Sequence, residues 1–476
     1  MERLDQKTCF DSLPPVRSIP DFYEKGYPLS GKMVVLDDDP TGVQTVHGIH
    51  VYTSWDHESL LQAFTEPGHI FFLLTNSRSL SRTQTEELHR NLASEACRVS
   101  RETGIPFIFL SRSDSTLRGH YPLETETLRR VLIAENFPEP DGEIIAPFFP
   151  EGGRYTIGNI HYVQEGKLLV PAGQTEFAAD PTFGYSSSNL IDWVREKNPA
   201  ISKEESVHSI SLDTIRLGGP AAVAEKLLAV QNYEKDIVNS CTYSDMEVFV
   251  SGLYLAMQHG KRFLFRTAAG LVRVMASIPE VPLLSWEQLR SGVNQNGGLV
   301  LVGSHVQKTT HQLANLLQQP GITPLKLDVR LLTGSSKTAR ITEYARQLDS
   351  ILSRGETAAA FTSREVVRIT QENSESNLLF SKQVSDSLVE IVRSLTVRPS
   401  FLVAKGGITS SEIGVRGLNV KRALVAGQIL PGIPVWQLGL ESRYPGLMYV
   451  IFPGNVGDEN ALCTVVKKAS ESLSRQ

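Results

Sequence analysis

KMVVLDDDPTGVQTVHG, residues 32–48, runs four apolar residues into three consecutive aspartates and then into Pro-Thr-Gly. A short apolar run that stops on carboxylates reads as a buried strand whose carboxyl end meets a polar edge. Asp39-Pro40-Thr41-Gly42 fits a type I turn, with Asp first, Pro second and Gly fourth. Asp39 therefore has a structural role at hand, but that role leaves Asp37 and Asp38 unexplained. Three adjacent carboxylates repel unless a cation, an arginine or a raised pKa relieves them, and such relief gathers at functional sites.

The same pattern recurs outward from this stretch. Apolar runs MVVL (33–36), HIFFLL (69–74), PFIFL (106–110), EIIAPFF (143–149), DIVNS (236–240) and RFLF (262–265) are separated by segments such as TQTEELHRNLASEACRVSRET. In that segment apolar residues return every three or four positions, as on one face of a helix. Strands alternating with amphipathic helices build βαβ units around a mainly parallel sheet. The pattern pauses in SIPEVPLLSWEQLRSGVNQNGG (277–298), rich in Pro, Gly and Asn, and resumes at LVLVGS (299–304), AAAFTS (358–363), FLVAKGG (401–407) and MYVIFPGN (448–455).

At roughly 100–200 residues per domain, a chain of 476 residues is expected to be an α/β protein of two domains, each with a mainly parallel sheet flanked by helices. The bounds read as an N-terminal extension at 1–30, a first domain at 31–275, a linker at 276–296 and a second domain at 297–476. In open sheets of this kind ligands sit at the carboxyl ends of the strands, so the residues just after each apolar run are the informative ones.

Bulk properties narrow the partners. With a net charge of −5, the chain has no basic field to hold nucleic acid or an anionic membrane, and an anionic ligand must be caught by local groups. Four cysteines, Cys9, Cys97, Cys241 and Cys463, lack CxxC spacing and fit a reducing compartment. No run approaches the ~18 apolar residues of a membrane span, and MERLDQKTCF has no apolar signal core. The expected setting is cytoplasmic, with small-molecule partners, and the sequence leaves homo-oligomer formation open.

VVLDDDPTGVQTV, SRSDSTLRGHYPLE (111–124), APFFPEGGRYTIGNIHYV (146–163), DIVNSCTYSDMEVF (236–249), LVGSHVQKTTHQL (301–313), KGGITSSEIG (405–414) and the late PGNVGD together resemble the four-carbon acid sugar kinase family. The resemblance implies a sugar-acid-binding N-terminal domain, an ATP-binding C-terminal domain and an active site in the cleft between them. Phosphate from ATP, with Mg²⁺, would pass to a terminal hydroxyl of a threonate, erythronate or oxo-tetronate.

On that reading Arg112, Arg118 and Arg154 are the forked donors for a carboxylate, and Asp114 and Ser115, with Thr116, suit a polyol. A helix N-cap is the structural alternative for Asp114-Ser115-Thr116, and a Gly-rich hairpin with a solvated Arg154 is the alternative for GGRYTIGNIHY. Ser304, Gly406, Gly407, Ile408, Thr409 and Gly454 align with the nucleotide contacts. Lys405 is a candidate phosphate neighbour, and a Walker loop is absent. Asp38 and Asp39 align with the family's paired aspartates, one as general base and one near Mg²⁺. The turn role of Asp39 makes Asp38 the stronger candidate for chemistry.

Two departures stand out. Many relatives read Asp-Asp-x-Thr-Gly-Ala-x-Asp, where this chain has Val43 and Thr45, and Ile408 replaces an acidic residue of some members. Asp37-x-Asp39-x-Thr41, with Thr75 in FFLLTNS, also resembles the opening motifs of haloacid-dehalogenase-type phosphatases, with Asp37 as nucleophile. The matching acidic close is poor, since Gly457-Asp458-Glu459 follows a Gly-Asn turn. A third reading is a non-catalytic sugar-acid-binding protein. His47, His50 and His161 lack zinc-ligand spacing and are expected to be structural or solvated.

Overall fold

Met33, Val34, Val35 and Leu36 are at most 2% exposed, which is why this strand is apolar at every position rather than at alternate ones. The computed structural model that places it describes residues 2–199, 201, 207–285, 287–289, 295–303, 306–333, 336–363, 374–454 and 456–474. Along the chain the strands are β1 (Leu4–Asp5), β2 (Lys32–Asp37), β3 (His50–Tyr52), β4 (Ile70–Leu74), β5 (Phe107–Arg112), β6 (Gly142–Ala146), β7 (Arg154–Ile157), β8 (Ile160–Glu165), β9 (Leu168–Pro171), β10 (Val207–Ile210), β11 (Glu234–Val238) and β12 (Phe263–Thr267). They continue as β13 (Leu299–Val302), β14 (Ile322–Leu327), β15 (Thr357–Thr362), β16 (Leu402–Lys405), β17 (Arg422–Leu430), β18 (Ile433–Leu438) and β19 (Met448–Phe452).

The chain divides into two units, Met1–Val46 with Ser54–Glu280, and His47–Thr53 with Val281–Gln476. In the first, strands in the order β10-β11-β6-β12-β5-β2-β4 pair in parallel throughout. Helices such as Arg82–Thr103, opened by a Ser81/Gln84 capping box and closed at Gly104 in the left-handed region, form the crossovers. The first unit also holds an antiparallel sheet in the order β1-β9-β8-β7, which period-two reading of the apolar runs does not announce.

The second unit is mixed. Strands β19-β16-β13-β15-β14 pair in parallel, and β3-β17-β18-β19 continue as an antiparallel meander. Two features depart from the expected partition. The short strand β3, twelve positions beyond Asp38 in sequence, belongs to the second unit, where it pairs with β17. Leu284 and Leu289, inside the stretch read as a linker, are at most 6% exposed and pack in the second unit's core with Val300, Val403 and Val450.

Candidate functional site

β2 lies between β4 and β5, and the register sets Asp37 beside both Leu74 and Arg112. The acidic end of one strand and the basic end of its neighbour are thus brought together by parallel pairing. Arg112 donates to Asp37 at 3.1 Å and to Asp38 at 3.5 Å, and its side chain is 6% exposed. Asp38 also accepts the Asp114 amide at 3.2 Å. Beyond the strand the chain turns as expected, with the Gly42 amide on the Asp39 carbonyl at 3.0 Å. The Asp39 carboxylate accepts both the amide and the hydroxyl of Thr41.

These contacts give the three aspartates different proton affinities. Burial pushes Asp37 up to about 7, against the pull of Arg112 and with the help of Asp38 and Asp39. Burial likewise pushes Asp38 up to about 6, although Arg78 and Arg112 oppose it. Burial acts on Asp39 too, but Arg78 and Thr41 prevail and hold it below the usual carboxylate range. Asp37 is also sealed: a Cβ on Gly42 would lie 2.0 Å from its carboxylate oxygens. Only a glycine lets the chain pass so close to that group.

Arg78 is the residue that sequence reasoning missed. It follows β4 in the turn Ser77–Ser79, ion-pairs with Asp39, and reaches Asp114 at 3.3 Å. The strand-end rule points to it, because it stands just past IFFLL. Asp114 also accepts from Thr116 and from Arg118 at 2.7 Å. Burial alone would raise Asp114, yet Arg78 and Arg118 hold it far below the usual carboxylate range. No helix starts at Asp114, Ser115 or Thr116, because the next one runs Leu123–Ala134. The capping alternative therefore does not describe this segment.

Behind this layer lies a buried polar shelf that the sequence does not reveal. Glu124, 2% exposed, accepts from Ser77 at 2.6 Å, Ser113 at 3.3 Å and Ser111 at 3.4 Å. Arg266, 1% exposed, donates to the carbonyls of Asp114 and Arg118 at 3.3 and 3.2 Å. These hydrogen bonds tie the loop 113–119 to the helix and strand behind it. Gly119, at φ +123°, brings the backbone past Asp38, from which a Cβ would sit 3.6 Å away.

Arg154 opens β7 in a hairpin turned by Gly158 and Asn159, both in the left-handed region. The hairpin is the one expected as the structural alternative, with its arginine half-buried rather than free in solvent. The Arg154 guanidinium stacks over Phe177 at 5.5 Å beside Arg118, which stacks on the same ring at 5.0 Å. Its Nε is buried without a hydrogen-bond partner among the described residues, and burial, with Arg118 nearby, lowers its pKa against the pull of Asp114. Two guanidiniums thus share one ring, and forked donors of this kind match the geometry of a carboxylate. Ser115 is buried and contributes its carbonyl, which faces His161 Nε2 at 2.8 Å. His161 has no exposure, and burial lowers its pKa to about 4, so it is a neutral packing residue.

In the second unit the register aligns Val302, Lys405 and Phe452, so the carboxyl ends of β13, β16 and β19 lie side by side. Gly406, at φ +119°, turns the chain into the helix Gly407–Glu412 and donates its amide to Phe452 at 2.8 Å. Gly303 lies where a Cβ would sit 2.3 Å from the Thr409 hydroxyl. Lys405 has no exposure and donates to the carbonyls of Pro453 at 2.6 Å and Gly454 at 3.1 Å. Burial, with Lys308 nearby, lowers its pKa to about 7. Thr309 fixes the same Gly454 carbonyl at 3.2 Å.

The structure thus gathers Gly406, Gly407, Thr409 and Gly454 at one sheet end, with Ile408 68% exposed on the first helical turn. Ser304 lies outside the described residues. In the first unit it gathers Asp38, Asp39, Arg112, Asp114 and Arg118 in one network, with Arg154 joined through Phe177. Of the departures, Thr45 is buried and donates to the Ala269 carbonyl at 3.0 Å. Among the described residues no group of three or more His, Cys, Asp or Glu is placed to hold a metal ion, and no helix is long and apolar enough to cross a membrane.

The family model of a sugar-binding N-terminal domain matches residues 33–275, and that of a nucleotide-binding C-terminal domain matches residues 299–462. No curated protein matches the chain significantly. Among solved structures, a Salmonella typhimurium LT2 protein with a provisional tRNA synthase name is 17% identical over 91% of this chain and 98% of its own, with a TM-score of 0.67. The Haemophilus influenzae protein HI1011 is 16% identical over 92% of this chain and 100% of its own, with a TM-score of 0.63. At these identities the likeness to solved structures is one of fold. The two matched regions cover most of the chain in the expected order, and the chain belongs to the family that joins a sugar-binding N-terminal domain to a nucleotide-binding C-terminal domain, the four-carbon acid sugar kinase family.

Proposed function

We propose that the protein transfers the γ-phosphoryl group of ATP to a terminal hydroxyl of a four-carbon sugar acid. The observation that carries this reading is the buried carboxylate Asp38, held by Arg112 and the Asp114 amide in the sugar-binding unit, with its pKa raised to about 6. A general base works best when its pKa lies near the operating pH. In the step, Asp38 accepts the hydroxyl proton as the substrate oxygen bonds to phosphorus and the bond to the ADP oxygen breaks. Asp39 is committed to Thr41 and Arg78 and holds the turn. Arg154 and Arg118 supply the forked donors for the acid's carboxylate.

Phosphoryl transfer asks for positioning and charge neutralisation more than for covalent chemistry. The glycine-lined ends of β13, β16 and β19 suit a triphosphate because backbone amides can approach it closely. Mg²⁺ enters this reading as the counter-ion of ATP, since Mg²⁺ commonly binds through substrate phosphates with few protein carboxylates. Asp39 and Asp114 already have their charge met by Arg78 and Arg118. The phosphatase alternative fits poorly, because the Gly42 backbone lies directly against the Asp37 carboxylate and leaves no room for a phosphate ester.

The test is ADP formation from ATP and Mg²⁺ with threonate, erythronate and oxo-tetronates. The reading expects ADP only when an acid sugar is present, and a loss of about 10²- to 10⁴-fold in kcat for Asp38→Asn. Phosphate-ester hydrolysis without ATP, abolished by Asp37→Asn, would favour the phosphatase. Stabilisation by acid sugars with none by nucleotide would favour a non-catalytic binder.

A further inference from the structure

The matched sugar-binding region begins at residue 33, yet the residues before it are built into the first unit. Here β1 pairs with β9, with Leu4 opposite Leu169 and Asp5 opposite Leu168, and the Gln6 amide donates to Lys167 at 2.9 Å. Asp5 caps the helix Gln6–Asp11 through Thr8. Farther on, Arg17 donates to the carbonyls of Arg216 at 2.9 Å and Leu217 at 3.0 Å, and Arg216 donates back to Pro14 at 2.6 Å. Arg17 fits there because Gly219 has no Cβ, which would lie 2.1 Å from its guanidinium.

The tie falls on the sheet that carries Arg154. Side chains alternate along a strand, so Arg154 and Tyr155 leave β7 on opposite faces. On the Tyr155 face, Phe10 meets the Tyr155 ring edge-on at 5.2 Å. Gln6 Nε2 donates to Tyr155 Oη at 3.4 Å and to Gln164 Oε1 at 3.3 Å, and Tyr155 donates to the same Gln164 oxygen at 3.3 Å. Gln164 in turn packs on Gly153, whose Cβ would lie 2.6 Å from it, and its amide donates to the Gly153 carbonyl at 2.8 Å. Gln6 therefore grips the residue after Arg154 and the partner of the residue before it.

We propose that residues 4–17 are a strap that positions Arg154, with Gln6 and Phe10 as positioning residues setting affinity for the substrate carboxylate from the far face of β7. This rests on the sugar-acid reading of Arg154 given above. A guanidinium with no ion pair among the described residues depends on its backbone for aim, and displacement of a binding group by a fraction of an ångström weakens recognition markedly.

The test uses the full chain and the variants Gln6→Ala, Phe10→Ala and Phe10→Tyr. Initial rates on the tetronate panel give KM for acid, KM for ATP and kcat, alongside Tm and hydrogen–deuterium exchange of residues 153–165. The expectation for both alanine variants is a rise of about five- to tenfold in KM for the acid, with KM for ATP and kcat unchanged. Exchange should quicken in 153–165 and not in 299–302, and Phe10→Tyr should restore wild-type behaviour. An unchanged KM for acid overturns the proposal, as does an equal rise for both substrates with a lowered Tm, which marks general destabilisation. Wild-type protein that turns over no acid refutes the kinase reading separately; exchange in 153–165 that then stays unmoved in both alanine variants overturns the strap as well, and quickened exchange supports its hold on the hairpin.

Discussion

Replacing Arg78 by methionine removes one cation from among three carboxylates while keeping the length of the side chain. Arg78 pairs with Asp39, lies 3.3 Å from Asp114, and depresses the pKa of Asp38. The side chains of Arg78, Asp39 and Asp114 are 21%, 18% and 12% exposed. Breaking a buried pair costs about 3–5 kcal/mol because the stranded charge stays buried. Partial exposure screens these contacts, so a loss of roughly 2–3 kcal/mol at pH 7 is expected.

The sign with pH follows from the shifts. Asp39 and Asp114 are held low in the folded state, so their contribution is complete above the unfolded carboxylate pKa of about 3.9 and fades as pH falls through the folded values. The stability gap between wild type and Arg78→Met is therefore widest near neutrality and narrows below about pH 4. Asp38 moves the other way: without Arg78 its pKa rises above about 6, and the ascending limb of kcat/KM shifts to higher pH by about one pH unit. Arg78→Lys should recover part of both effects, lacking only the fork. Urea denaturation at pH 7 and pH 4, with pH–rate profiles on the accepted acid, measures both. An unmoved limb together with unchanged stability would refute this reasoning.

Three further outcomes are expected. Arg154→Gln should raise KM for the acid about 10- to 100-fold with no change in nucleotide affinity and no loss of Tm, since the guanidinium has an unsatisfied buried Nε; a fall in ATP affinity alone would contradict the assignment. Lys405→Met removes the donors to Pro453 and Gly454 and should weaken a nonhydrolysable ATP analogue about tenfold by calorimetry, sparing the acid. Asp37 has a folded pKa raised to about 7, so its favourable contribution is present below the unfolded value and lost as pH rises through 7. Asp37→Asn should therefore stabilise the fold at pH 8 by about 1–2 kcal/mol, with the gain closing toward pH 4. Equal stability of the two proteins at pH 8 would show that burial does not strain this carboxylate.

The parallel cores are legible because most of their strands are buried on both faces and so are written as unbroken apolar runs ending on polar or glycine residues. Asp38, Arg112, Asp114 and Gly406 all stand just past such runs, and the strand-end rule reached them. Arg78 obeys the same rule but stands four residues past its strand in a polar turn, Ser77–Ser79, that carries no motif of its own. Other parts carry no periodic signal. The two-residue strand β1 and the three-residue strand β3 are too short to alternate, and each is fixed by a partner distant in sequence, β9 and β17. Glu124 reads as the polar face of a helix, and Arg266 as the polar end of a strand. Only tertiary packing makes them buried, and a side chain's partners across the fold are not written in its own neighbourhood.

Phosphorus NMR of the protein incubated with ATP, Mg²⁺ and the best stabilising tetronate tests the central claim most directly. The account predicts loss of the γ-phosphate signal with equal growth of a phosphomonoester on the acid's primary alcohol. Inorganic phosphate as the only new signal, or ATP left intact with every acid that binds, would contradict it.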